Sequence, residues 1–391
     1  MSSSRPSSRA SKHARPSTPS EARNTAKQSL RAIAQETVSI LPGRVKTISR
    51  APCASKFEKF TLNDLRRLDP NDCPSFPKAA TIRVINSDTF YAAIPLIKHG
   101  SVQSTPVDEA LEVSLQYLAE NGLNPQPLPV FKPPVVVNFA NRHEPGGGWL
   151  NGAMAQEEEL FFRSSLSLSL NKDAVGYPLR TPEAVYSPHV FIFRNSYADG
   201  HGLLAHTELM HLTPEVSVLS VAAINGPEVE KVVVQSRVPG TKAFKLSSSP
   251  FKLSSSPFQK PGSVVKVEDE DEDSEMSGTG EKDSSSPLPG LPPTKKWFKH
   301  NRERNLTKDK MRLVLRKAAS EGHTSIVLGA LGCGVFGNPP EDVANCWLEV
   351  LKEDEFSGNW WDEVVFAVMD SGNAQDGNYN IFRNVLDGKK V

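Results

Sequence analysis

The sequence lacks several features that would place it in a class at once. Its four cysteines, Cys53, Cys73, Cys333 and Cys346, are scattered with no Cys-x-x-Cys spacing. No secretory leader is read either, so the expectation is reduced thiols in an intracellular protein, nuclear or cytoplasmic rather than mitochondrial, and no disulfide framework. No apolar run is long enough to span a bilayer, so no membrane partner is expected. No glycine-rich stretch ends in the Lys-Ser/Thr of a P-loop, which argues against an NTPase. His206, Glu208 and His211 miss the His-Glu-x-x-His spacing that sets two histidines on one helical face, and no further ligand stands nearby. No metal and no other cofactor is expected. Net charge is missing too: 45 basic residues balance 45 acidic ones.

That balance hides strong local asymmetry. Residues 1–24 open with serine, arginine, lysine and proline, with almost nothing large and apolar, and cannot bury enough surface to fold. They read as a basic, disordered tail. A solvated tail, weak contact with a polyanion and an address signal all remain open for it, although Pro6, Pro16 and Pro19 oppose the amphipathic helix of a mitochondrial transit peptide. Residues 240–294 form a second low-complexity stretch. They hold Phe-Lys-Leu-Ser-Ser-Ser-Pro at Phe244–Pro250 and again at Phe251–Pro257, then six acids, Glu268–Asp273. Such composition predicts a disordered insert. Its Val265-Lys266-Val267-Glu268 and its Ser-Pro pairs, at Ser249, Ser256 and Ser286, read as sites for a ubiquitin-like modifier and for proline-directed kinases.

Between these stretches, 25–391 reads as one catalytic-sized domain. Thr25 with Gln28 predicts a capping box, opening a helix with Leu30, Ile33, Ala34, Val38 and Leu41 on one face and Pro42-Gly43 at its end. A short helix is expected near Leu62–Leu68, a strand at Thr81–Ile85, a helix beginning at Asp88 and another over Asp108–Ala119. Further strands are expected at Val135–Val137, Phe191–Phe193, Val216–Ala222, Ile326–Leu328 and Val365–Met369, with a helix around Met311–Ala319. Strands alternating with helices in this way predict an α/β fold, a parallel or mixed sheet covered on both faces. Ligands of such sheets collect at the carboxyl ends of the strands.

Two loops lie there. The first follows Val135–Asn138 and carries Gly146, Gly147 and Gly148 before the helix formers Gln156, Glu157, Glu158 and Glu159. Glycines let the backbone approach a ligand, and successive N–H groups suit an anion or an electron-rich oxygen. Three adjacent carboxylates repel one another, and any that is also desolvated is expected to have a raised pKa, as a general acid needs. A solvated acidic first turn is the other reading of the same triplet. The second loop, Gly329–Asn338, holds four glycines and is stopped by Pro339 and Pro340. Two such loops, one ending in carboxylates, indicate a diphosphate-bearing ligand that undergoes chemistry.

The pattern Gly-Gly-Gly, seven residues, Gln-Glu-Glu from Gly146 to Glu158 resembles the signature of the poly(ADP-ribose) glycohydrolases, in wording close to their microbial type. Residues 27–42, 218–229, 327–344 and 378–386 resemble further segments of that family in the same order. The resemblance implies a eukaryotic, fungal-like member with a macrodomain-like catalytic fold, an N-terminal helical extension and the disordered insert. Its substrate would be poly(ADP-ribose) on modified proteins, its product ADP-ribose, its working form a monomer, and its cleavage mainly from chain ends. Glu158 would protonate the leaving ribose oxygen and then deprotonate water, while Glu157 would hold the ribose hydroxyls. Asn138, Asn141 and Gln156 would border the ribose, and Gly146, Gly147 and Gly148 would contact the ribose and the diphosphate. Gly332, Cys333, Gly334, Val335, Gly337 and Asn338 would cradle the diphosphate, and Phe336 would press on the distal ribose. Phe382 stands as an adenine stacker or an ordinary core residue. Two departures accompany the match: the extra Glu159 followed by Phe161-Phe162, expected to alter the local field, and the long insert. A non-catalytic ADP-ribose reader and a hydrolase of mono-ADP-ribosyl groups are the alternatives.

Overall fold

The computed structural model describes residues 19–47, 53–97, 132–204, 213–233, 294–370 and 377–391. The described strands β1 (Glu58–Phe60), β2 (Ile82–Ile85), β3 (Val135–Phe139), β4 (Ala184–Phe191), β5 (Glu215–Val221), β8 (Ser325–Leu328) and β9 (Glu363–Ala367) form one seven-stranded sheet in the order β1-β4-β5-β3-β8-β9-β2. From β5 to β2 every pairing is parallel, whereas β4 runs against both β5 and β1. A parallel sheet needs cover on both faces, and the pleat of β3 supplies residues to each. Val135 and Val137 pack with helices α6 (Asn301–Ser320), α7 (Pro340–Leu351) and α8 (Asn378–Leu386). Val136, between them, packs with α1 (Pro19–Thr47), α2 (Thr89–Ala93) and α3 (Gln156–Arg163). Two short helices, α4 (Leu166–Ser169) and α5 (Lys172–Val175), lead from α3 to β4.

The helix α1 differs from its expected form at both ends. Thr25 is inside it, its hydroxyl donating to the Glu21 carbonyl 2.9 Å away, and the helix passes through Pro42 to Thr47. Proline has no N–H for the Val38 carbonyl four residues back. Val38 is half exposed on the outer side, where water can serve that carbonyl. The buried row is therefore Leu30, Ala34, Thr37, Leu41 and Val45. Elsewhere the helix expected near Leu62–Leu68 shrinks to a single 3-10 turn, Leu62–Asp64, closed by the Asp64 carboxylate accepting from the Thr61 N–H at 2.7 Å. The strand expected at Phe191–Phe193 starts earlier, at Ala184, and crosses Pro188 through an irregularity between Ser187 and Val190. The last sheet strand ends at Ala367, short of the exposed Met369.

The chain divides into two compact units, Met1–Lys231 with Lys296–Val391, and Val232–Lys295. A second sheet pairs β6 (Val229–Val233) with β7 (Thr294–Phe298). The second unit is described only at Val232, Val233, Thr294 and Lys295, so the insert expected over 240–294 lies almost wholly outside the described residues, as do the tail through residue 18 and the helix expected at Asp108–Ala119.

Thr37 couples α1 to the centre. Its buried hydroxyl donates to the Phe162 carbonyl at 3.0 Å and accepts from the Arg194 Nε at 3.0 Å. Removing one partner of a buried charge-assisted bond costs about 1.5–3 kcal/mol. Thr37→Val, equal in shape, is therefore expected to lower the unfolding free energy by about 2 kcal/mol in urea titrations, with an unchanged m-value.

Candidate active site

The β3–β5 ladder continues through Phe139, but the β3–β8 ladder stops at Val136. The two central parallel strands therefore part at their carboxyl ends, and the backbone groups facing the gap need other partners. Gln156 supplies them. Its Nε2 donates to the Val137 carbonyl at 2.7 Å and to the Thr89 hydroxyl at 3.0 Å, and its Oε1 accepts from the Phe139 N–H at 2.9 Å. This amide docks the start of α3 against the end of β3.

Three glutamates follow, about 100° apart around the helix, and each meets a different partner. Glu157 turns under the first loop. Its Oε2 accepts from the Asn141 N–H at 2.6 Å, and its Oε1 from the Gly146 N–H at 3.0 Å and the Asn138 Nδ2 at 3.3 Å. Burial pushes its pKa up to about 8, against the lowering by the Asn141, Gly146 and Asn138 donors, and the adjacent Glu158 adds a smaller upward push. Glu158 accepts from the Gly148 N–H at 3.0 Å through Oε1, while its Oε2 bonds no protein group among the described residues. A Cβ on Gly147, whose φ is +53°, would sit 2.6 Å from Glu158 Oε1, so only glycine fits between loop and carboxylate. Glu159 faces away from both. It bonds the His201 Nε2 at 2.8 Å, the Tyr197 N–H at 3.0 Å and the Arg163 guanidinium at 3.4 Å, and Arg163 in turn pairs with Asp88 at 2.6 Å. Glu159 therefore bears on packing, and it also borders a cleft at the strand ends. The solvated reading of the acidic turn fails, since all three glutamates are buried.

The remaining predicted residues divide. Asn138 is wholly buried and reaches Glu157 and the Ser220 hydroxyl, the latter at 3.1 Å, so it stands behind the first loop. The Asn141 side chain folds back on its own loop, accepting from the N–H groups of His143 at 2.8 Å and Glu144 at 3.1 Å. In the second loop Asn338 is buried and donates to the Ile224 carbonyl at 2.7 Å and the Gly332 carbonyl at 3.1 Å. It pins the loop shut, and a Cβ on Gly332 would lie 2.4 Å from its Nδ2. Cys333 bonds inward to the Leu331 carbonyl, burial pushing its thiol well up, whereas Gly334, Val335 and Gly337 lie on the surface and Phe336 is half-buried. Phe382 is in the core, tilted against Phe366 with ring centres 6.1 Å apart, and has no free face for a base. It was exposed to misreading because an aromatic at a helix position reads alike whether it packs inward or outward.

A cleft of about 490 Å³ opens beside this loop at the ends of β2, β8 and β9. Gln156, Glu159 and Gly334 are on its wall with Phe139, Tyr91, Tyr197 and Asn378, whereas Glu157 and Glu158 are not. Sequence reading missed most of that wall, along with Tyr177, whose buried hydroxyl has no partner among the described residues and is held protonated by burial and by Glu157. The Asp88 cap was the one usable signal there: its carboxylate accepts from the N–H groups of Phe90 and Tyr91, both at 3.0 Å. His206, Glu208 and His211 lie outside the described residues. Among the described residues no cluster of three His, Cys, Asp or Glu could hold a metal.

The geometry can now be set beside known proteins. Residues 18–195 match the family model described as microbial-type PARG, catalytic domain, and residues 290–347 match the macro domain. This is a macrodomain-like fold. The poly(ADP-ribose) glycohydrolase of Thermomonospora curvata superposes with a TM-score of 0.53 at 23% identity, over 91% of this chain and 99% of that one. The same enzyme bound to the inhibitor ADP-HPD gives 0.52 at 22% identity, over 91% and 99%. Among curated proteins, none matches this chain.

Glu157 gives a signed pH dependence. With its pKa raised from 4.5 to about 8, the folded state keeps a proton that the unfolded state has lost between those values. Stability is then favoured at the acidic end of that window and falls as pH rises through it. Thermal melts from pH 5 to 9 should decline, and Glu157→Gln should flatten the decline.

Proposed function

We propose that this protein is a poly(ADP-ribose) glycohydrolase, hydrolysing the ribose–ribose bonds of the polymer mainly from chain ends and releasing ADP-ribose. The observation that carries the reading is the glutamate pair under the triple-glycine loop: Glu157 is engaged on both oxygens, and Glu158 has one oxygen fixed by Gly148 N–H and one free of protein partners among the described residues. The match to the PARG catalytic-domain model spans that loop. In this reading the cleft receives the nucleoside end of the terminal unit, and the second loop borders its diphosphate. Protonated Glu158 gives its proton to the leaving 2′ oxygen as the C1″–O bond breaks. The ribose becomes oxocarbenium-like, and ionised Glu158 then takes a proton from the water that adds to C1″. Each turn of the cycle restores the acid. No second carboxylate attacks carbon; Glu157 instead fixes the loop and the ribose hydroxyls against it.

The partners are poly(ADP-ribosyl)ated proteins and the free product, met by a monomeric enzyme in the nucleus or cytoplasm. The Ser/Pro/acidic stretch at 240–294, with its Ser-Pro pairs, supports a eukaryotic, fungal-like member whose activity is regulated from that insert.

Release of free ADP-ribose from automodified acceptor protein tests the reading, wild type beside Glu158→Gln. The amide keeps the shape and loses the transferable proton, so release should slow by about 10²- to 10⁴-fold while ADP-ribose binding persists. Tight ADP-ribose binding with no release by either protein would identify a reader. Turnover of mono-ADP-ribosylated acceptors alone would identify the other hydrolase.

A further inference from the structure

Nine large hydrophobic side chains of the described residues are exposed, and four of them, Tyr91, Met154, Tyr197 and Met369, line the one cleft at the ends of β2, β8 and β9. Apolar side chains scattered singly over a surface need no explanation, whereas several gathered in one concavity mark a binding site. At about 490 Å³ the cleft has the size of a small-ligand pocket. Three aromatic rings stand on its wall, and they differ in what they have left to offer. Phe139 is backed against Gly329, where a Cβ would lie 2.8 Å from its Cζ. Tyr91 has the Arg163 guanidinium over its ring, 5.0 Å from the centroid, and its hydroxyl donates to the Asp199 carboxylate. Tyr197 is 48% exposed, and its hydroxyl has no hydrogen bond among the described residues. The one ring beside it there is the His201 imidazole, 5.8 Å away and inclined at 63°.

The exposed ring is carried by a firmly fastened turn. Tyr197–Asp199 form a single 3-10 turn, and the chain leaves it through two left-handed residues, Gly200 at φ +73° and His201 at φ +53°. A histidine keeps that backbone only where its surroundings hold it. One carboxylate holds both ends: Glu159 accepts from the Tyr197 N–H at 3.0 Å and bonds the His201 Nε2 at 2.8 Å. Asp199 holds the middle, accepting from the Tyr91 hydroxyl and from the Ser196 hydroxyl, the latter at 2.8 Å. Arg194 Nη1 donates to the His201 carbonyl at 3.0 Å. Glu159 belongs to the same helix, α3, as Glu158, so the ring is positioned from the helix that bears the proposed acid.

We propose that Tyr197 is the platform on which the base of the terminal ADP-ribose unit stacks, with Glu159 and His201 as positioning residues that set its ring. The third glutamate of the triplet then acts on base binding through Tyr197. This rests on the proposed activity for the identity of the base, adenine, and on the cleft and the fastened turn for the platform itself. Phe382, the aromatic that the sequence offers for the task, is in the core. A stacked base needs a π-face that is exposed and held still, and Tyr197 meets both conditions.

Calorimetric titration of ADP-ribose, and of ribose 5-phosphate, which lacks the base, tests the platform. Tyr197→Ala should weaken ADP-ribose by about five- to 150-fold and leave ribose 5-phosphate as in the wild type. Tyr197→Phe keeps the ring and should bind ADP-ribose as the wild type does. An Ala variant with wild-type affinity for ADP-ribose, or one that loses both ligands alike, overturns the platform. A Phe variant as weak as the Ala variant also overturns it, since the hydroxyl would then be the contact. Glu159→Gln should weaken ADP-ribose in the wild-type background and add nothing in the Tyr197→Ala background, whereas a role in packing alone would cost the same in both. Equal losses overturn the positioning role. Polymer cleavage is measured separately. Binding of ADP-ribose through Tyr197 without cleavage by the wild type means that the proposed activity has failed and the platform stands; cleavage with ADP-ribose binding indifferent to Tyr197→Ala means the reverse. No binding of ADP-ribose by the wild type overturns both.

Discussion

The Glu157 carboxylate, buried against Asn141 and Gly146, is the fastening on which the first loop depends. Without it two backbone N–H groups would be orphaned beneath the triple glycine, and the loop would lose its anchor to the helix below. The cost is visible in the same group, since desolvation opposes the very charge that makes it a good acceptor. Strain of this kind is tolerable only where surrounding structure fixes the geometry. The surrounding structure here includes Gln156, which completes the edge of β3 that β8 abandons, and Asn138, which stands behind Glu157 from within that strand.

The three consecutive glutamates share one composition and divide three tasks because a helix turns them to different neighbours. Glu157 faces the loop anchor, Glu158 the glycine edge, and Glu159 the His201–Arg163–Asp88 cluster that joins α3 to α2 and, through Arg194 and Thr37, to α1. The extra glutamate relative to the signature thus ties these helices together and also lines the cleft. Its negative charge is met by Arg163 and lies on the side of the helix away from the loop.

Much of this was legible in the sequence. The β-branched run of Val135–Val137, the capping Asp88 and the glycine loops after β3 and β8 each carry a local physical signature, and each stands where expected. What was hidden depends on long-range partners. Pro42 marks a helix end in isolation, but packing of Val45 beyond it carries α1 onward. Asn138, Asn338 and Phe382 look like ligand groups by type and position, yet their environments turn them inward. The Glu159–His201 bond joins residues whose types gave no hint of meeting, because His201 owes its place to a turn with φ of +53°.

The pairing of β2 with β9 has a bearing on when the molecule becomes competent. Arg83 and Glu363, bonded across those strands, are 280 positions apart, and the cleft takes wall residues from just beyond both. During synthesis the early strand has no parallel neighbour until nearly all of the sheet has been made, and such closures between distant segments are slow. A nascent chain can thus own its loop and its glutamates while lacking half of the crevice beside them. Maturation of the cleft is a late event, set by topology and independent of any residue in the reaction.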